Sequence, residues 1–369
     1  MYQALSTTGL ELIRKSHGFG PTFGPRFSNH LPMAITAMQR LGASPAQLEK
    51  EYQRAADHLA PLGEALGVDT PALGEKTHNA DFVEYYRSML GKLGTEETLR
   101  RILPSLLPGI SAGAFHGVIR LAYALESEDI DELSHALAYW SSGFTPLGDL
   151  TFQQDLSPED DLNQALSVFH DHIYRKGIII DHVEELVTLE KYQAIASQPD
   201  SLSLEVVARI VLTQYSASDD FTLLHGVTGF QALLSLLPFI EDQDAALHYF
   251  WQAYVAAACT AEYREPHSNE KLHSDVIADW SHWFEQALET ENDHTIKLTY
   301  SCARLYDYLR LPETLYAVKY RWRTHHEAHC YRLLFTSRKH SEHGASRCRR
   351  CTTARYGRLA LPYCWHGHH

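Results

Sequence analysis

Long apolar runs, basic charge in the body of the chain and strand-like alternation are what this 369-residue sequence has least of. No run of about 18 or more uncharged apolar residues, the length that crosses a bilayer, is evident. The best candidate, around Phe250 to Ala261, is too short and contains Gln252, so no membrane partner is expected. The opening Met1-Tyr2-Gln3-Ala4-Leu5-Ser6 has no basic segment leading into an apolar one, which makes a cytoplasmic protein the expectation. Net charge is -14, and eleven Lys or Arg against two acids from Lys319 onward leave -23 on the preceding 318 residues. So acidic a body disfavours nucleic acid as a partner. Only six cysteines occur, with Cys259 and Cys302 isolated in helical patterns, and nothing demands an oxidising compartment. Glycines at 18, 20 and 24 follow no strand and precede no Gly-Lys-Ser/Thr, which argues against a phosphate cradle. No dinucleotide fingerprint marks a site for NADPH or a flavin.

What the chain does have is helical periodicity. With 44% hydrophobic and 21% charged residues it can bury a substantial core. Residues 1–29 are turn-rich and read as an irregular segment. From His30, the residues Met33, Ala34, Ala37, Met38 and Leu41 mark one helical face that stops at Gly42. Ser44-Pro45-Ala46-Gln47 reads as a capping box that starts a helix through His58, and similar starts recur at Thr95 and Ser157. Ser111 is placed to cap the helix carrying His116, whereas the acidic stretch Glu126 to Glu132 reads as solvated surface. Extended structure is hinted at only in Gly177 to Ile180 and Leu202 to Val207, both of which could be helix flanks. The expected fold is all-α, a large multi-helix single domain over residues 30–325 with a metal site in its core, followed by a tail over 326–369.

The candidate chemistry lies in histidines. Phe115-His116-Gly117-Val118 and Leu224-His225-Gly226-Val227 echo each other, each opening an apolar helical run, and His30 and His294 open two more. Four helices that each bring one imidazole to the core could build a metal site from facing side chains. A lone histidine on a helix face is more often a satisfied core or surface residue, so spacing alone does not decide. His170 and His172, two apart, do not face one site and read as surface. His116, Ile119, Arg120 and Tyr123 share a face mixed enough to line a polar pocket, and Arg120 and Tyr123 are the candidate catalytic residues. After His225, the small residues Thr228, Gly229 and Ala232 either leave room for a ligand or let helices pack closely. Lys297 lies one turn from His294 on an apolar stripe with Leu298, Cys302 and Leu305, so burial must be relieved by an acid from another helix, by snorkelling, or chemically. A neutral amine can add CO2 to become a carbamate, an anionic oxygen ligand.

Phe27-Ser28-Asn29-His30-Leu31-Pro32-Met33-Ala34, Ala114 to Leu125, Leu224-His225-Gly226-Val227-Thr228 and Asp293-His294-Thr295-Ile296-Lys297 together resemble the questin oxidase-like family, over about residues 15 to 325. That family includes fungal enzymes of anthraquinone and aflatoxin biosynthesis. The resemblance implies an oxygen-dependent oxidoreductase that opens or oxygenates a polycyclic aromatic polyketide, by Baeyer–Villiger-type or dioxygenolytic ring cleavage. It further implies a non-haem Fe(II) held by four histidines and a carboxylated lysine, here His30, His116, His225, His294 and Lys297. Imidazole suits iron, zinc, copper or nickel, and five protein ligands leave about one position of an octahedron for dioxygen or a substrate oxygen. An electron-rich hydroquinone can supply the electrons itself.

Two rivals share the same histidines: a helical binding or scaffold protein without turnover, and a zinc hydrolase using a metal-activated water. The tail stands apart. Eight of 23 histidines and four of six cysteines follow Thr324. Cys348, Cys351, Cys364, His366 and His368 have the ingredients of a zinc knuckle, but a disordered basic extension or a shifted reading frame explains the break as well.

Overall fold

The computed structural model describes residues 2–261 and 279–323. By internal contact the chain divides into residues 1–324 and 325–369. The second unit lies outside the described residues, and with it every reading of the tail.

Helix formation follows the caps. Helix α1 (Thr7–Ser16) starts where the Ser6 hydroxyl accepts from the Gly9 N–H. The expected irregular N-terminal segment is therefore corrected: it holds a helix, followed by a two-residue hairpin of β1 (Thr22–Phe23) and β2 (Phe27–Ser28) paired Thr22 to Ser28. The four glycines and two prolines of residues 9–25 mask the periodicity of Leu10, Leu12 and Ile13. Helix α2 (Leu31–Leu41) ends on Gly42 in the left-handed region, at φ 101°. Helix α3 (Pro45–Ala56) carries the expected Ser44–Gln47 capping box and stops two residues short of His58.

Helices α4 (Asn79–Leu93), α5 (Thr95–Leu106), α6 (His116–Ser127), α7 (Ile130–Ser142), α8 (Pro158–Phe169), α9 (Ile179–Leu186) and α10 (Glu190–Gln193) follow. The last five are α11 (Leu204–Ser218), α12 (Phe221–Leu236), α13 (Gln243–Ala258), α14 (Trp280–Glu289) and α15 (Asp293–Leu309), with a further helical stretch over 313–323. Both stretches that hinted at strands are helix flanks. The short strands β3 (Thr151–Gln153) and β4 (Ser197–Pro199) pair in parallel instead. The fold is all-α in character.

Three further expectations are corrected. Ser111 does not cap α6, because its hydroxyl donates to the Thr145 carbonyl. The chain enters α6 through three consecutive left-handed residues, Gly113, Ala114 and Phe115, at φ 57°, 56° and 68°. The acidic stretch after Leu125 is not solvated surface. Glu132 is buried in a two-pronged pair with Arg120, at 2.9 and 3.0 Å, and Glu126 binds Arg40, Arg304 and the Tyr300 hydroxyl. Finally, among the described residues one helical stretch, Phe221–Phe239, is long and apolar enough to cross a membrane, and 83% of its apolar window is buried inside the protein. Its scattered Thr, His, Gln and Ser residues hid it from a search for purely apolar runs.

The site is positioned by four helices that pack in a ring: α2 against α6, α6 against α12, α12 against α15, and α15 against α2. Close approach is set by glycine. A Cβ on Gly117 would lie 2.9 Å from Trp140 Cγ, and one on Gly226 would lie 2.7 Å from the Tyr254 ring. The His-Gly echo is thus a packing device repeated on two helices. Gly229 serves the same end, since a Cβ there would meet Phe115 at 2.9 Å. That decides the question about Gly229, the glycine in the small-residue stretch after His225, in favour of close packing.

Candidate metal centre

Each helix of the ring begins at the same place and contributes a histidine there. His30 is the N-cap of α2, His116 the first residue of α6, His225 the fifth of α12 and His294 the second of α15. The ring nitrogens of His30, His116 and His294 gather within 4.8 Å of one another. The His225 ring adjoins them, its centroid 4.7 Å from that of His116 and 5.3 Å from that of His294.

The orientation of each imidazole is fixed by its Nδ1. His30 Nδ1 lies 2.6 Å from Asp293 Oδ2 and His294 Nδ1 lies 3.0 Å from Asp293 Oδ1. His116 Nδ1 bonds the Gly113 carbonyl, and His225 Nδ1 bonds the Phe221 carbonyl at 2.7 Å. Carbonyls and carboxylates only accept, so all four Nδ1 atoms carry the hydrogen and each neutral ring offers an Nε2 lone pair. The Nε2 atoms of His225 and His294 are buried with no hydrogen-bond partner. Those of His30 and His116 face each other at 2.7 Å. Two lone pairs at that distance repel unless a cation stands between them, either a proton or a metal.

Burial argues against the proton. It pushes His30 and His225 down to about 3 and His294 to about 4, and it holds His116 well below its ordinary value. A metal ion at about 2.0–2.1 Å from each nitrogen puts neighbouring ligand atoms about 3 Å apart, close to what is observed. Nδ1 anchored on carboxylate or carbonyl with Nε2 free is the arrangement that orients histidine ligands. The donor set fits a divalent metal.

Asp293 was not singled out from sequence, although it stands beside His294 and four residues before Lys297. Burial alone would raise its carboxyl, but the Lys297 ammonium beside it and the hydrogen bond from the His294 ring outweigh that and hold it well below the carboxylate range. Lys297 is buried, and its Nζ lies 3.4 Å from Asp293 Oδ2. The acid that relieves it comes from its own helix rather than another, and burial still lowers the amine from its ordinary range.

Arg120 is not brought to the ring nitrogens. Its guanidinium is held by Glu132, which also accepts from His17, whose ring stacks on His135 at 4.5 Å. Tyr123 lies two turns along α6 from His116, buried, its ring 5.7 Å from that of Tyr300. His170 is exposed as expected, but His172 is half-buried against Tyr174 and Glu185, because the chain there is a turn rather than a helix. The cavity of about 590 Å³ lined by Val68, Asp81, Tyr85 and Met89 touches none of the four histidines.

Fold and site together define an all-helical protein with a buried cluster of histidines at converging helix N-termini. Residues 27–176 match the family model of questin oxidase-like proteins, the family that the sequence motifs resemble, and the likeness points to oxidoreductase chemistry. The matched stretch carries His30 and His116, with His225, His294 and Lys297 beyond it. No curated protein matches the chain.

Proposed function

We propose that the protein is a metal-dependent oxygenase, with a non-haem iron held by His30, His116, His225 and His294, that uses dioxygen to oxidise an aromatic, quinone-like small molecule. The observation that carries this reading is the 2.7 Å approach of two Nε2 atoms whose rings have already committed their Nδ1 hydrogens. Iron there would supply a place where dioxygen meets an electron-rich aromatic and draws electrons from it. The chain's own residues do the rest. Asp293 orients two imidazoles at once, the carbonyls of Gly113 and Phe221 orient the other two, and the packed Gly117 and Gly226 helix contacts exclude water behind them.

Carboxylation of Lys297, as the family resemblance implies, belongs to the same proposal: the amine adds CO2 and releases one proton. Intact-mass analysis under native conditions should show the CO2 increment, and Lys297→Arg should lack it. An electron-rich substrate supplies the electrons, so the proposal needs no NADPH. The setting we propose is cytoplasmic, with neither nucleic acid nor membrane as partner.

The test is metal content of protein purified without chelators, beside His116→Ala and His225→Ala. A single iron per chain, lost in both variants, is expected, and unchanged stoichiometry in both would remove the assignment. Turnover that survives strict anaerobiosis without oxidation of the ring, or zinc in place of iron, would favour hydrolysis by a metal-activated water. A folded chain that takes up no metal would favour a binding role.

A further inference from the structure

The residues around the cluster are not equally buried. His116, His225 and Lys297 are enclosed, while His30, Asp293 and His294 keep partial exposure, so the centre opens on their side. Phe221 stands at that opening. Its ring lies 4.6 Å from the His225 ring and 4.7 Å from the His294 ring, spanning the starts of α12 and α15, yet 50% of the residue is exposed. Its backbone is held from both directions. The Asp220 carboxylate accepts from Thr222 and Leu223, and the Phe221 carbonyl accepts from His225 Nδ1. A phenylalanine left half in water at a rigid position, backed by the two imidazoles whose Nε2 atoms have no partner, presents a fixed aromatic surface at the entrance.

We propose that Phe221 is the stacking platform that selects planar aromatic ligands and seats them against the histidine cluster. This rests on the reading of that cluster as the active centre. An aromatic ligand gains from Phe221 both apolar contact and ring stacking, whereas a saturated ligand of the same size gains only the contact. Phe221 is a positioning residue, and its signature is a preference rather than an overall affinity.

The probes are 2-naphthol and decahydro-2-naphthol, titrated calorimetrically into the full chain with and without added Fe(II) under anaerobic conditions. Wild type should favour the planar probe by about 2- to 10-fold over the saturated one, Phe221→Leu should lose that preference, and Phe221→Tyr should restore it. Phe152 provides a matched control, since it is 52% exposed and lies edge-on to His248 at 4.8 Å. Phe152→Leu should leave the ratio unchanged. A ratio unaltered in Phe221→Leu, an equal loss in Phe152→Leu, or no preference in wild type overturns the proposal. Because the ratio is read with and without metal, a protein that binds no iron but shows the Phe221-dependent preference keeps the platform and loses only the oxygenase reading.

Discussion

Replacing Asp293 with Asn separates two roles that one carboxylate plays. It receives His30 Nδ1 at 2.6 Å and His294 Nδ1 at 3.0 Å, and in the metal-free, uncarboxylated protein it faces the buried Lys297 ammonium at 3.4 Å. Asn keeps one accepting oxygen, so one imidazole retains its partner and the other loses it, while the lysine loses its nearest counter-charge and keeps only the weaker influence of Glu51. Stranding one member of a buried ion pair costs about 3–5 kcal/mol. Removing a group that orients a ligating histidine costs about 10- to 100-fold in metal affinity. The two losses should respond differently to Lys297→Met. In the double variant no buried charge is stranded, so at least half of the lost stability should return, but the imidazole is still unheld and metal affinity should stay low. Urea unfolding of metal-free protein reads the first, and competitive titration with Co(II) reads the second. Metal affinity in Asp293→Asn within twofold of wild type would refute the view that this carboxylate aims the histidines. Failure of Lys297→Met to restore stability would refute the stranded-charge account.

Two glycines of different surroundings should respond oppositely to alanine. Gly91 lies in α4 with nothing within 4 Å of an added Cβ, so Gly91→Ala should stabilise by about 0.5–1 kcal/mol, seen as a higher urea midpoint. Gly117→Ala gains the same propensity but drives a methyl to 2.9 Å from Trp140 Cγ and 3.1 Å from its Cα, where overpacking costs about 1–3 kcal/mol. Packing wins there, and metal affinity should fall because His116 moves with the helix; a stabilised Gly117→Ala would contradict the close-contact argument. A pH dependence follows from the buried imidazoles, His135 included, which burial pushes down to about 3. Unfolded histidines bind protons near 6.5, whereas His30, His135 and His225 do so folded only near 3 and His294 near 4. The unfolded chain therefore holds more protons between those values, so this contribution is complete above pH 6.5 and lost as pH falls toward 4. Metal-free protein should lose denaturant resistance steadily from pH 6.5 to 4.5, and a flat profile would show that these rings are solvated.

Sequence by itself determined the helical class and the four histidines. Periodic apolar residues and strong caps act within a few residues of one another, so Ser44–Gln47 and the run from His30 to Leu41 can be read without neighbours. The histidines were visible because each opens an apolar run, a local pattern. Partnerships across the chain were not. Nothing local to Arg120 reveals that Glu132 of the next helix holds it, and nothing local to Glu132 distinguishes it from solvated acids beside it. Asp293 was in view within its motif, but its role exists only because α2 brings His30 to it from 263 residues away. Likewise Phe221 reads as one more apolar residue at a helix start until α15 places His294 beneath its ring. Only the tertiary structure decided that the free nitrogens meet: the His116 and His225 rings are aimed by carbonyls three and four residues earlier in their own segments, but Asp293 takes hold of His30, and the Nε2 atoms come together, only when the four helices close into a ring.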